Sequence, residues 1–290
     1  MANLKEIRNR IASVSSTKQI TSAMKMVSAA KLRKSQSAIQ KLRPYSLQMS
    51  EIVAKLGSSD NADIPYARKN KNKKNVLLIS LTSNKGLCST FNSSIIKLTI
   101  NRINFYKQEG KNVYLKSFGK RGDSHFCNIK GINYLGSEDN VWDNLDFSSV
   151  SSIATNIMND FVSEKYDKVE IIYNVFKNAA TQYPVYENFL PISFSKSEKT
   201  ESNTSIDYIF QPNKNDILQS VVPQALHTQL YKCFLDSFTS EHGARMSSMS
   251  KATDNAQELL KELTLTYNKI RQASITNEII EICSGANALE

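Results

Sequence analysis

The sequence predicts a mixed α/β chain in which two long helices, one at each end, pair antiparallel as a coiled coil around an inserted α/β domain. Three observations predict it. Apolar residues recur at alternating spacings of three and four near both ends of the chain. Between those stretches the pattern changes to short apolar runs alternating with helical segments. The 290 residues are 40% hydrophobic with only 9 Gly and 6 Pro, which excludes a wholly disordered, collagen-like or low-complexity chain.

Residues 1–56 read as the N-terminal helix. Leu4, Ile7, Ile11 and Val14 set a seven-residue frame that recovers Leu32, Ile39, Leu42, Met49, Val53 and Leu56. Between 15 and 31 the frame meets Lys18, Thr21, Lys25 and Ser28, while apolar side chains move to Ile20, Met24 and Val27. A local drift of the seam is expected there, without an end to the helix. Pro44 removes one backbone donor and is expected to bend it.

Residues 57–75 read as a linker, rich in Gly, Ser, Asn and Lys. Residues 76–212 read as an α/β domain. VLLISLT (76–82) has the continuous apolar run of a buried parallel strand, and SNKG follows it as a turn. A helix over 87–109, a strand NVYLKSFG (112–119), a helix over 148–165 and a strand KVEIIYNVF (168–176) come next. Two further extended runs are PVYENFLPI (184–192) and SIDYIFQP (205–212). This alternation predicts a small, partly parallel, Rossmann-like sheet.

Residues 213–290 read as the second long helix. Met249, Ala252, Ala256, Leu259, Leu263, Thr266, Ile270 and Ala273 keep the frame, and Gly285 is a C-cap signal. At about 1.5 Å per residue the helices reach roughly 80 and 110 Å, a mechanical or scaffolding shape. If both leave the α/β domain flush, paired residue numbers sum to about 269. Met24 then lies opposite Arg245 and Leu4 opposite Leu265, leaving the C-terminal tip without an intrachain partner. That tip carries an apolar stripe of Ile275, Ile279, Ile282, Ala286 and Leu289, which reads as a partner site.

Charge is unevenly placed. The net charge is +10, and residues 1–56 alone hold 11 basic and 2 acidic side chains. A basic helix suits nucleic acid, an acidic protein surface or plain solvent. Cys88, Cys127, Cys233 and Cys283 are scattered, which fits a reducing compartment and no zinc site. No apolar run reaches membrane-spanning length, and the N-terminus lacks the apolar core of a secretory signal. The glycine fingerprints of nucleotide loops are absent. Asn84, Lys85 and Gly86, or Lys120 and Arg121, could face a phosphate but read as turns. His125, His227 and His242 stand apart, so no catalytic, cofactor or metal site is expected.

KEIRNRIASVSSTKQITSAMKMVSAAKLRKSQ (5–36) and the segment 230–289, from LYKCFLDSF to IIEICSGANAL, resemble the terminal helices of the gamma subunit of F-type ATP synthases. NKGLC (84–88), FNS (91–93) and DYIFQP (207–212) match the same family. Lys85 stands where the family usually has Arg, and Ser89 where it usually has Gly. The resemblance implies a central-stalk rotor subunit that binds three alpha and three beta subunits, the epsilon subunit and the membrane c-ring. It implies no membrane span, no cofactor, no nucleic acid, and ATP chemistry on other chains. It places the chain on the cytoplasmic face of the bacterial inner membrane. Met24, Arg245, Gln272 and Thr276 match positions where the family's shaft faces the beta subunits or stabilises its own coil. Lys25 is expected to face acidic beta-subunit loops. Ile275, Ile279 and Ile282 are expected to meet the apolar collar of the alpha–beta ring. Two competing readings are a nucleic-acid-binding coiled-coil protein, resting on the basic helix, and a nucleotide-dependent enzyme, resting on the α/β domain.

Overall fold

A computed structural model describes residues 4–57, 65–68, 74–179, 181–192 and 214–287. The predicted strand at 205–212 and most of the predicted linker lie outside the described residues. Contacts divide the chain into two compact units, Ala30–Ala244 and Met1–Ala29 with Arg245–Glu290.

The first unit holds the α/β fold. Its elements are β1 (Asn75–Leu81), α2 (Phe91–Gln108), β2 (Asn112–Phe118), α3 (Lys120–Phe126), β3 (Asn133–Ser137), α4 (Phe147–Val162), β4 (Lys168–Phe176) and β5 (Gln182–Leu190). The sheet order is β3-β2-β1-β4-β5, with β5 antiparallel to β4 and every other pairing parallel. Strand β1 is central and covered on both faces, which is why it reads as an unbroken apolar run. Val76 and Leu78 pack with Ile95 and Ile103 of α2 on one face. Leu77, Ile79 and Leu81 pack on the other with α4 and with Leu218, Val222, Leu226, Leu230 and Phe234. Those last five belong to α5 (Lys214–Asn287), and Val53 of α1 (Leu4–Gly57) joins the same core. Each large aliphatic enclosed this way contributes about 1.5–3 kcal/mol.

One acid interrupts the apolar run of β4. Glu170 is 1% exposed. It accepts bonds from Arg102 through Nε (3.0 Å) and Nη2 (2.7 Å), from the Tyr106 hydroxyl (2.5 Å) and from Lys168 Nζ (2.8 Å). Arg102 lies 4.1 Å from the Tyr186 ring centroid. Burial pushes the Glu170 carboxyl up, and the bonds from Arg102, Lys168 and Tyr106 outweigh it, so the group sits below its ordinary range.

Two short elements escape the sequence reading. Residues 120–126 form a helix where a turn is expected, and β3 has no counterpart among the predicted strands. Helix α1 runs through Pro44 as one element, and α5 continues past Gly285 to Asn287.

The second unit pairs the start of α1 with the end of α5. Thr253 Oγ1 donates to Thr21 Oγ1 across the pair (2.9 Å), and Thr21 Oγ1 donates to the Lys18 carbonyl (3.0 Å). This contact sets a register in which paired numbers sum to about 274, not 269. Ile7, Ile11 and Val14 fall level with Tyr267, Leu263 and Leu260, and all six are buried or half-buried. Leu4 falls level with Ile270, both half-buried, while Leu265 is 72% exposed.

The seam drifts at one position only, where Met24 is half-buried and Lys25 of the original frame is exposed. Ile20 and Val27 are 60% and 59% exposed, whereas Ser28 on the original frame is 3% exposed. Ser28 spends its hydroxyl on the Met24 carbonyl (2.8 Å), which removes the penalty of turning it inward. On α5, Met249, Ala256, Leu263 and Ile270 keep their predicted places. Leu260, Tyr267 and Ser274 replace Leu259, Thr266 and Ala273 as the alternate seam positions.

Candidate functional site

The predicted partner residues occupy three settings. Met24 is half-buried and Lys25 exposed on α1. Arg245 is 6% exposed, enclosed within its own chain. The register places Met24 level with Ser250, so Met24 and Arg245 are offset by about 7 Å along the axis rather than opposed. Gln272 and Thr276 are exposed on the tip of α5, where the Thr276 hydroxyl donates to the Gln272 carbonyl (2.9 Å).

Beyond Ile270 no described residue of α1 stands opposite α5. From Arg271 to Asn287 every residue but Ser274 is exposed. Ile275 is 48%, Ile279 55%, Ile280 56% and Ile282 71% exposed. Four large aliphatic groups on one bare helix form an apolar stripe that water covers poorly. A second exposed apolar set, Ile20, Met26 and Val27, stands on α1. The sequence reading assigned Ile20 and Val27 to the seam, and only the polar identity of the true seam positions hid this outward face.

The turns that resembled phosphate sites are closed on themselves. The Ser83 N–H donates to Asn92 Oδ1 (3.0 Å), Asn92 Nδ2 donates to Ser83 Oγ (2.8 Å), and Ser83 Oγ donates to the Lys85 carbonyl (2.7 Å). Asn84 Nδ2 donates to the Asp139 carbonyl (3.0 Å), and the Lys120 N–H donates to Asn84 Oδ1 (3.2 Å). Lys120 Nζ pairs with Asp139 at 3.1 Å. The Arg121 guanidinium lies where a Cβ on Gly86 would stand, 2.8 Å from that point. Leu87 (φ 62°) and Ser89 (φ 52°) adopt left-handed backbone, a conformation that costs a non-glycine residue about 1–2 kcal/mol.

Open α/β sheets hold ligands beyond the carboxyl ends of their strands, where strand order reverses. Here that place lies between β1 and β4, and α5 is bonded across it. Ser237 Oγ donates to the Leu81 carbonyl (3.3 Å) and Ser240 Oγ to the Asn174 carbonyl (3.1 Å). His227 is bound between Ser151 Oγ (3.0 Å at Nδ1) and Thr155 Oγ1 (3.2 Å at Nε2) of α4, and burial pushes its imidazole down. Among the described residues no cluster of His, Cys, Asp and Glu has the grouping of a metal site. No helix among them is long and apolar enough to cross a membrane.

Comparison with known proteins gives one consistent result. A family model described as ATP synthase matches residues 3–289. The ATP synthase gamma chain of Flavobacterium johnsoniae is 52% identical over all of this chain and 99% of its own length. That of Bdellovibrio bacteriovorus is 41% identical, with both chains fully covered. A chain from the Euglena gracilis mitochondrial ATP synthase (OSCP/F1/c-ring) aligns with TM-score 0.61 and 17% identity, over 99% of this chain and 94% of that one. A chain from the Tetrahymena thermophila mitochondrial ATP synthase (central stalk/c-ring) aligns with TM-score 0.58 and 23% identity, over 80% and 99%. Those two likenesses concern the fold. Nothing in these relatives supports the nucleic-acid reading. Matched from end to end and at these identities, the chain belongs to the ATP synthase gamma-chain family.

Proposed function

We propose that this chain is the central-stalk rotor subunit of an F-type ATP synthase. It couples rotation of a proton-driven c-ring to conformational cycling of beta-subunit catalytic sites, and it runs in reverse when ATP is hydrolysed. The observation that carries this reading is the bare apolar tip of α5, continuous with a coiled coil whose seam is thin. Burying each of Ile275, Ile279 and Ile282 in a collar formed by alpha and beta subunits would contribute about 1.5–3 kcal/mol. An apolar tip turns in such a collar without deep ion-pair traps.

The remaining roles follow from the same reading. Helices 1–56 and 213–290 serve as the shaft, 57–75 as a linker, and 76–212 as the platform for epsilon and the c-ring. Met24 and Lys25 face beta subunits, together with Gln272 and Thr276. Arg245, enclosed as it is, braces its own coil. ATP chemistry belongs to the partners, since the turns that could hold a phosphate here bond to their own neighbours. The chain sits as a peripheral subunit on the cytoplasmic face of a bacterial inner membrane. Each shaft angle stabilises one beta conformation over the others, a population shift imposed by a partner.

Tagged full-length chain is expected to co-purify alpha and beta subunits with ATPase activity. Ile279→Ser with Ile282→Ser should leave the isolated chain's unfolding midpoint unchanged and loosen its hold in the ring. Co-purification without alpha and beta, or equal losses in chain stability and assembly, would count against the reading.

A further inference from the structure

The rotor reading leaves open where force passes between the long helices and the α/β fold of the first unit. We infer that Arg43, Ser237 and Ser240 are positioning residues of a joint that locks α1 and α5 to the carboxyl edge of the sheet against sliding. This inference rests on the rotor reading.

The last carbonyls of β1 and β4 lie at the carboxyl edge and need donors. Side chains of the two helices supply them. Ser237 bonds the Leu81 carbonyl at 3.3 Å and Ser240 bonds the Asn174 carbonyl at 3.1 Å. Arg43 Nη2 donates to the Phe176 carbonyl (3.1 Å) and to Asp236 Oδ1 (3.5 Å). One guanidinium nitrogen thereby ties α1, β4 and α5. Ser237 and Ser240 are fully enclosed, so water does not compete for their bonds, whereas Arg43 reaches from a half-exposed position to Asp236, which is 2% exposed. Gly243 lets α5 approach closely, since a Cβ there would stand 3.3 Å from the Phe176 ring and 3.4 Å from the Ala179 Cα.

Around the joint the contact is aliphatic and aromatic: Leu226, Leu230 and Phe234 against the sheet. Hydrophobic burial is non-directional and sets no register of its own. Hydrogen bonds weaken steeply with misalignment. Resistance to shear therefore concentrates in the polar ties, and three of them lie on the two strands flanking the point of strand-order reversal.

The test uses the assembled complex in sealed vesicles and reads the ratio of ATP-driven proton pumping to ATP hydrolysis. Arg43→Met, Ser237→Ala and Ser240→Ala are compared singly, and the two serine changes together. Arg43→Lys serves as the conservative variant and Ile95→Val in α2 as a packing control. The ratio is expected to fall severalfold for Arg43→Met and for the double serine variant while hydrolysis persists. It should stay near wild type for Arg43→Lys and Ile95→Val. The single serine changes should give intermediate ratios and carry the test if the double variant does not assemble. An unchanged ratio in Arg43→Met and both serine variants, or an equal fall in Ile95→Val, overturns the joint while leaving the rotor reading intact. Failure of the wild-type chain to assemble removes the rotor reading itself.

Discussion

Helix α5 passes through two environments, and its burial differs sharply between them. In the first unit Leu218, Val222, Leu226, Leu230, Cys233 and Phe234 are each 1% exposed or less. In the second unit only Arg245, Met249 and Ala256 of the same helix are buried among the described residues. One element is thus a core helix along one stretch and half of a lean two-helix coil along the other. Helix stability comes mainly from tertiary packing rather than propensity. The enclosed stretch is held by its own chain, whereas the coil end has apolar surface left to give to a partner.

Truncation tests this contrast most directly. Phe234→Ala should cost about 3–5 kcal/mol of chain stability in urea unfolding. Ile11→Ala in the coil should cost about 1 kcal/mol, because that side chain is only half-buried. Similar losses at both sites would erase the distinction.

Glu170→Leu sharpens it from the polar side. Removing the one acid leaves Arg102 and Lys168 facing each other without compensation, which should cost about 3–5 kcal/mol. The wild-type carboxyl has its pKa depressed in the folded state. Its stabilising share is present above the ordinary carboxylate value and is lost as pH falls through the lowered one. Acid titration of unfolding free energy should show that loss in the wild type and not in Glu170→Leu.

Ser89→Gly should raise stability by about 1 kcal/mol by relieving left-handed backbone. A lower unfolding midpoint in that variant would mean that the turn is not strained. The smallest effect concerns His227, whose folded pKa lies below 6.5. The unfolded chain takes up the proton first, so stability should fall as pH drops below that value. His227→Gln should flatten this part of the pH profile, and an unchanged slope would place the titrating group elsewhere.

Much of the architecture was legible in the residues, and the misses have physical causes. The frame set by Leu4, Ile7, Ile11 and Val14 holds along α1 to Val53, with Lys25 as the exposed exception. Hydrophobicity then misled at Ile20 and Val27, because a hydroxyl that bonds its own helix packs almost as an apolar group. Thr21 and Ser28 do this and hold the seam. The central strands were visible as apolar runs, whereas β3 is five residues with a glycine and no enclosed side chain. Helix α3 carries Gly122 in its middle, which masks its propensity, and that glycine is needed. A Cβ there would stand 2.4 Å from Ser117 Oγ.

The candidate surface was legible only in part. The tip stripe follows from spacing alone, since a helix without an opposite partner leaves whatever it carries in water. Arg245 could not be placed from sequence, because an arginine inside a coil and one on its outside have the same spacing. The Glu170 cluster had a signal that went unread: a lone acid in KVEIIYNVF must find cations or remain uncharged.

Trp142 is the chain's single tryptophan, and it is 7% exposed. Its ring stacks on Phe238 with centroids 6.2 Å apart and lies 5.4 Å from Phe234. Its emission is therefore an optical reporter of the α/β unit alone, silent about the coil. Helical circular dichroism sums over both units. Recorded together during heating, the two signals would separate the melting of one unit from that of the other without any label, and the gap between their midpoints would measure how independent the coil is.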